Sequence, residues 1–248
     1  MGRRSTHSEL IARHCNLDEK SKAVVTPGEK REFEDRENSP DLTYEEAHRF
    51  RAIVARGNYL AQDRTDVQYA VKELSRRMSA PKECDWTSAK RLGRYLTNKS
   101  RSVLHFGYQE WQAGVTVWSD TDFAGCRDER KSTSGGVIMF GDHCLKSWSL
   151  TQKVIALSSG EAEYYGLVKS GSQGLGIRAL LGDLGVGRTV ILNTDASAAI
   201  GIASRRGLGK VRHIEVSQLW LQQRVASGDL IAQKVDGVSN VADALTKH

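Results

Sequence analysis

No Cys-x-x-Cys pair, no apolar stretch approaching a membrane span and no internal repeat occurs in this 248-residue chain. The four cysteines, Cys15, Cys84, Cys126 and Cys144, stand far apart. That pattern excludes a closely spaced zinc site and a disulfide framework, and a reducing compartment, cytoplasmic or nuclear, is the expectation. A spanning helix needs about 20 consecutive apolar residues, so no membrane partner is expected. What is present is an ordinary globular mix of 39% hydrophobic and 27% charged residues. A formal net charge of +6 is compatible with a polyanionic partner without requiring one.

Three regions follow from the patterning. Residues 1–42 are polar and charge-dense, with Pro27-Gly28 and Pro40 as breakers, and are expected to form an extended lead-in. The start, Met1–Cys15, is Arg-bearing and acid-poor like an organellar transit peptide, but Glu9 and the missing Ser-rich continuation favour a solvated tail. Residues 43–102 predict three amphipathic helices. The first opens at Thr43 with the stripe Phe50, Ile53, Val54, Gly57 and Leu60. The second, capped by Thr65 or Asp66, carries Val67, Ala70, Val71, Leu74 and Met78 and stops at Pro81. The third runs from about Asp85 with Trp86, Ala89, Gly93 and Leu96 inward.

In residues 103–248 the period changes. Val103–Tyr108 and Val115–Ser119 read as strands, and Gly135–Phe140 with Cys144–Trp148 as a hairpin turning at 141–143. A long helix is expected from Ser159 to Leu184 and a buried strand at Thr189–Asn193. A short helix at Ala196–Ala203, a helix at Val216–Val225, a strand at Leu230–Val235 and a last helix at Val241–Lys247 complete the set. An antiparallel start followed by a parallel section describes an α/β layered domain. Trp118, Phe123, Trp148, Tyr164, Tyr165 and Trp220 are expected in its core.

Four carboxylates stand out. Asp120 and Asp195 each end an apolar, β-prone run, where open α/β sheets place ligands. Asp195 could equally cap the helix that follows it. Glu161 and Glu163 lie near a helix start, about 200° apart around the axis, so one alone faces the sheet. Spacing does not say which. Asp243 lies in the first turn of the last helix, where an acid also satisfies the dipole. Gathered together, these acids would form a hard oxygen cage suited to Mg²⁺ and to phosphodiester cleavage. His213 reads as a member of a solvated basic loop rather than a phosphate contact, and His143 as a turn residue.

The motifs S-D-T-D-F-A-G and D-E-R-K-S-T-S-G-G, then S-W-S-L-T-Q-K-V-I-A-L-S-S-G-E-A-E-Y, T-D-A-S-A-A-I, R-H-I-E-V and N-V-A-D-A-L-T-K follow one another from residue 119 to 247. In order and spacing they resemble the ribonuclease H domain of copia-type LTR retrotransposon polyproteins. The three upstream helices resemble the segment joining polymerase thumb to ribonuclease H. The resemblance implies a ribonuclease H-like mixed five-stranded sheet flanked by helices and preceded by a small helical subdomain. It implies Mg²⁺ (or Mn²⁺) held by Asp120, Glu163, Asp195 and Asp243, and selects Glu163 over Glu161. It further implies an RNA–DNA hybrid as substrate, with Arg205, Arg206, Lys210, Arg212 and His213 near its phosphates. The Y-x-D-D polymerase signature is absent, so a separate reverse transcriptase polymerase region is an implied partner. Ala196 and Ser197 replace the family's usual Asn-Gln pair after the third acid. The end of the chain at His248, soon after the last helix begins, is expected to leave that helix frayed and Asp243 loosely held. The rival is a non-catalytic retroelement-derived scaffold that binds nucleic acid; an integrase of the same fold lacks this order of four acids.

Overall fold

The computed structural model describes residues 6–18, 20–30, 36–126, 128–209, 211 and 213–247. The chain forms two compact units, one ending at Leu104 and one running from His105 to Lys247.

The first unit is helical. Helix α1 (His7–His14) falls inside the stretch expected to be an extended lead-in, and that expectation is corrected. Thr6 and Glu9 make a capping box, and Ile11 and Cys15 are buried. A polar segment with two well-spaced apolar residues suffices for a helix when a core receives them. Helix α2 (Tyr44–Leu60) opens with a second capping box between Thr43 and Glu46. Thr65 and Asp66 do not cap the next helix: a 3₁₀ turn (Thr65–Val67) precedes α3 (Gln68–Ser75) without a side-chain cap. Asp66 instead accepts two bonds from Arg64 (2.8 and 2.7 Å) and one from the Tyr95 hydroxyl (2.7 Å). Helix α4 (Glu83–Asn98) closes the unit around Phe50, Ile53, Val54, Val71, Leu92 and Leu96.

The second unit is a mixed five-stranded sheet in the order β3-β2-β1-β4-β5. Its strands are β1 (Gly114–Cys126), β2 (Lys131–Phe140), β3 (His143–Thr151), β4 (Thr189–Thr194) and β5 (Leu230–Lys234). β1-β2 and β2-β3 pair antiparallel, β1-β4 and β4-β5 parallel. Helices α5 (Ser159–Asp183), α6 (Ser197–Ala203) and α7 (Trp220–Ala226) pack on the sheet over Val115, Val117, Ile138, Tyr164, Leu167, Leu192 and Leu221. The architecture expected by resemblance, a mixed sheet flanked by helices after a helical segment, is the one observed.

Three local expectations are corrected. Val103–Tyr108 is not a strand, and Val103 and Tyr108 are exposed. Both sides of β1, the strand that follows it in the chain, are taken by β2 and β4, so this segment cannot form a hairpin with β1. Its downstream part grips the β2-β3 turn by other means: His143 Nε2 donates to the Gly107 carbonyl (2.9 Å), and Gln109 Nε2 to that of Phe140 (2.8 Å). Phe123 is exposed although expected in the core. The last helix is a short 3₁₀ segment, Val241–Leu245, and it is not frayed: Ala242, Leu245 and Thr246 are buried.

Candidate metal centre

The register of the sheet brings two acids level. Parallel pairing of β1 with β4 ends at Trp118↔Asn193. Asp120 and Asp195 each lie two residues past that last pair, at the point where the strand order reverses direction, the crevice where such sheets bind ligands. Asp120 is still within β1, opposite Gly135 of β2. Asp195 does not cap α6, since the N-cap residue is Ala196 and makes no side-chain bond. The capping alternative for Asp195 therefore falls.

Glu163 arrives from α5. Gly166, one turn further along the same face, allows the helix to approach β1 closely: a Cβ there would lie 2.4 Å from Thr121 Oγ1. Both acids are buried, but Glu163 joins Asp120 and Asp195 whereas Glu161 is engaged by other partners. Glu161 accepts from the Leu157 N–H (3.0 Å), the Tyr165 hydroxyl (2.9 Å) and His213 Nε2 (2.6 Å). The choice that spacing left open is thereby made by packing. Gly166→Ala is expected to push α5 off β1, lowering stability by about 1–3 kcal/mol and displacing Glu163; thermal unfolding with and without Mg²⁺ reads both effects.

Asp120, Glu163 and Asp195 each offer a carboxylate oxygen, and these atoms lie within 4.8 Å of one another. Two oxygens on opposite sides of a bound Mg²⁺ or Ca²⁺ stand about 4–5 Å apart, so the spacing fits a hard cation. Glu163 Oε2 is buried with no hydrogen-bond partner, as a ligand atom awaiting an ion would be. Electrostatics agree. Burial, then the charges of Asp120 and Asp195, pushes the Glu163 carboxyl up to about 8 against a backbone bond from Thr121. Burial also raises Asp120, opposed by the Thr246 hydroxyl and reinforced by Asp243 and Asp195.

Asp243 stands at the edge of this group. Its side chain is 44% exposed and pairs with Lys247, and it does not share the three-oxygen cluster. The turn carrying it is firmly docked. Asn240 Nδ2 donates to the Ser119 carbonyl (3.0 Å), Ser149 Oγ to that of Leu245 (2.6 Å), and Thr246 Oγ1 to the Asp120 carboxylate. Gly135 makes room for it, since a Cβ would meet the Ala242 carbonyl at 2.9 Å. Asn240, Thr246 and Lys247 were not singled out from sequence, although they flank Asp243 in one motif.

The basic residues fare differently. Lys210 and Arg212 lie outside the described residues. Arg206 is exposed, and Arg205 donates to the Leu208 carbonyl of its own loop (2.6 Å). His213 belongs to Glu161 rather than to the three-acid cluster.

No protein-family model matches the chain. The retrovirus-related Pol polyprotein from transposon RE2 of Arabidopsis thaliana is 31% identical over 248 residues, covering 96% of this chain and 16% of that protein. The corresponding polyprotein from transposon RE1 is 32% identical over 201 residues, 80% of this chain and 14% of its own length. The chain is a homologue of copia-type retrovirus-related Pol polyproteins. This Pol homologue spans about one-sixth of the length of the curated relatives it matches. Among solved structures, a ribonuclease H1 in complex with an RNA/DNA hybrid overlaps 53% of this chain and 92% of its own, at 17% identity and a TM-score of 0.37.

Proposed function

We propose that the chain is a metal-dependent ribonuclease H that hydrolyses the RNA strand of RNA–DNA hybrids. The convergence of Asp120 from within β1, Asp195 from just past β4 and Glu163 from α5, with a ligand oxygen left unpartnered, carries this reading, and the Pol homology supports it. Mg²⁺ or Mn²⁺ at these carboxylates would neutralise the leaving oxyanion and favour the hydroxide form of an attacking water. The protein's own contribution is position and burial. β1 and β4 hold two acids level, and α5 brings the third into a pocket where charge interactions are strong. Thr246 fixes one Asp120 oxygen, leaving the other to face the pocket. Asp243 joins as an outer acid, paired with Lys247 until substrate or metal competes for it.

The test is a hybrid labelled separately on each strand, incubated with purified protein in Mg²⁺, Mn²⁺ or EDTA. Metal-dependent cutting confined to the RNA strand is the expected result. Tight hybrid binding without cutting would favour the scaffold reading instead. Asp243→Asn is expected to slow cleavage by about tenfold, less than any change at the three clustered acids, because its carboxylate lies outside their group. Equal loss at all four positions in single-turnover assays would place Asp243 inside the cage.

A further inference from the structure

The segment that leads into β1 is fastened to the β2-β3 turn, and the fastening closes on His143. His143 Nε2 bonds the Gly107 carbonyl (2.9 Å), and His143 Nδ1 lies 3.1 Å from Gln109 Nε2. The Gln109 amide is held at two further points. Its Nε2 also donates to the Phe140 carbonyl (2.8 Å), and its Oε1 accepts from the Asp142 N–H (2.9 Å). Gly141, at φ +59°, makes room for this amide, since a Cβ there would lie 2.2 Å from Gln109 Oε1. Ring contacts complete the join: Phe106 stands edge-on to His143 (5.1 Å), Trp111 edge-on to Phe140 (6.1 Å), and Arg188 lies over Trp111 (4.8 Å).

Backbone groups fix every role in this network. The Gly107 and Phe140 carbonyls can only accept, so His143 Nε2 and Gln109 Nε2 supply the hydrogens. The Asp142 N–H can only donate, so Gln109 Oε1 cannot trade places with Nε2. The second Gln109 N–H therefore meets His143 Nδ1, which accepts only while the ring is neutral. A proton on Nδ1 would set N–H against N–H, and turning the amide over would forfeit the bonds to both Phe140 and Asp142. Closure and the proton exclude one another, so the closed form is favoured at high pH and lost as pH falls. Other titratable and charged groups surround the join. They are His105, whose ring a Cβ at Gly107 would meet at 3.2 Å, Glu110, Asp142 and Cys144 on either side of His143, and Arg188 beyond Trp111. Neither ring bond of His143 is made to the side chain of any of them.

We propose that residues 106–112 form an acid-labile strap, clasped to the β2-β3 turn while His143 is neutral and released when its ring takes up a proton. The strap lies between Leu104, where the helical unit ends, and the start of β1 at Gly114, so release lengthens the free chain ahead of the sheet. The clasp is remote from the carboxylates. His143 pairs with Phe140, which lies five residues along β2 from the Gly135 opposite Asp120, a distance of about 17 Å. It uses neither metal nor nucleic acid, so it and the nuclease reading stand or fall separately.

Proton–nitrogen NMR on the full chain in EDTA tests the strap between about pH 8 and pH 5, the range in which histidines change charge. At the alkaline end the His143 ring is expected as its Nε2–H tautomer. As pH falls, ring protonation, the Trp111 indole signal and the Asp142 amide should move with one midpoint. Exchange of the Asp142 amide, corrected for its intrinsic rate, should quicken by about tenfold. H143Q, which keeps a donor for Gly107 but takes no charge, should remove the pH dependence of both signals. Q109A should leave the Asp142 amide unprotected at every pH, and H105Q should leave the transition in place. Static Asp142 and Trp111 signals across the range would overturn the strap, as would the same transition in H143Q, its loss in H105Q, or protection of Asp142 that survives Q109A. Loss of protection in β1 and β4 at the same midpoint would also overturn it, because that pattern is general unfolding and not local release.

Discussion

Asp120→Asn is expected to abolish hybrid cleavage, lowering the single-turnover rate by roughly 10³-fold or more, while hybrid binding changes little. The amide keeps the shape and can still accept from the Thr246 hydroxyl, so the docked C-terminal turn should survive. What is lost is one negative oxygen among three that share a space of 4.8 Å. Mg²⁺ affinity should fall with it, since each anionic ligand contributes to holding a hard cation. Quenched-flow cleavage, anisotropy and calorimetric Mg²⁺ titration together check the claim. Cleavage at the unaltered rate would remove Asp120 from the site.

The second large effect is on stability. A carboxyl held near 8 in the fold but near 4.5 when unfolded keeps its proton in the native state while the unfolded chain releases it. Between those values the native state binds more protons, so stability falls as pH rises. Each pH unit in that window costs up to about 1.4 kcal/mol, and Glu163 alone should destabilise the metal-free protein by about 4 kcal/mol at pH 8 relative to pH 4.5. The raised Asp120 carboxyl acts in the same direction. Glu163→Gln removes the larger part of this penalty and is therefore expected to stabilise the metal-free protein at pH 8 while destroying activity. Mg²⁺ should produce the reverse pattern, raising the melting temperature of the unaltered protein most at alkaline pH, where its ligands are readily deprotonated. Urea titrations from pH 5 to 9 in EDTA measure the slope; a profile that Glu163→Gln leaves unchanged would show that Glu163 is not the source.

Much of this was readable before any coordinates. Alternation and turn chemistry located the β2-β3 hairpin around Gly141-Asp142, and three- and four-residue spacing located α2, α3 and α4 of the first unit but not α1. Resemblance named three of the residues that the fold gathers. The failures share a cause. Val103–Tyr108 has the composition of a strand, but strands exist by pairing, and both sides of the adjacent β1 are taken by β2 and β4. Thr65 and Asp66 are good caps in isolation, yet Asp66 is worth more as the partner of Arg64 and Tyr95. Local spacing did not distinguish Glu161 from Glu163, because the distinction depends on residues far away: Gly166 against Thr121 on one side and His213 on the other. Asp243 entered as an equal of the other three, and its exposed side chain, paired with Lys247 outside their cluster, separates it from them.

Thr246 reaches Asp120 across 126 positions of sequence, and contacts of such separation form late because they close the largest loops. Asn240 and Ser149 stitch the same turn, so the pocket is closed by a segment that follows β1, α5 and β4 in the order of the chain. A nascent chain would have made β1, α5 and β4 before the turn carrying Thr246 could lock the first acid. Timing is thereby built into the order of the polypeptide: a pocket assembled in this way stays unfinished until translation has passed Thr246.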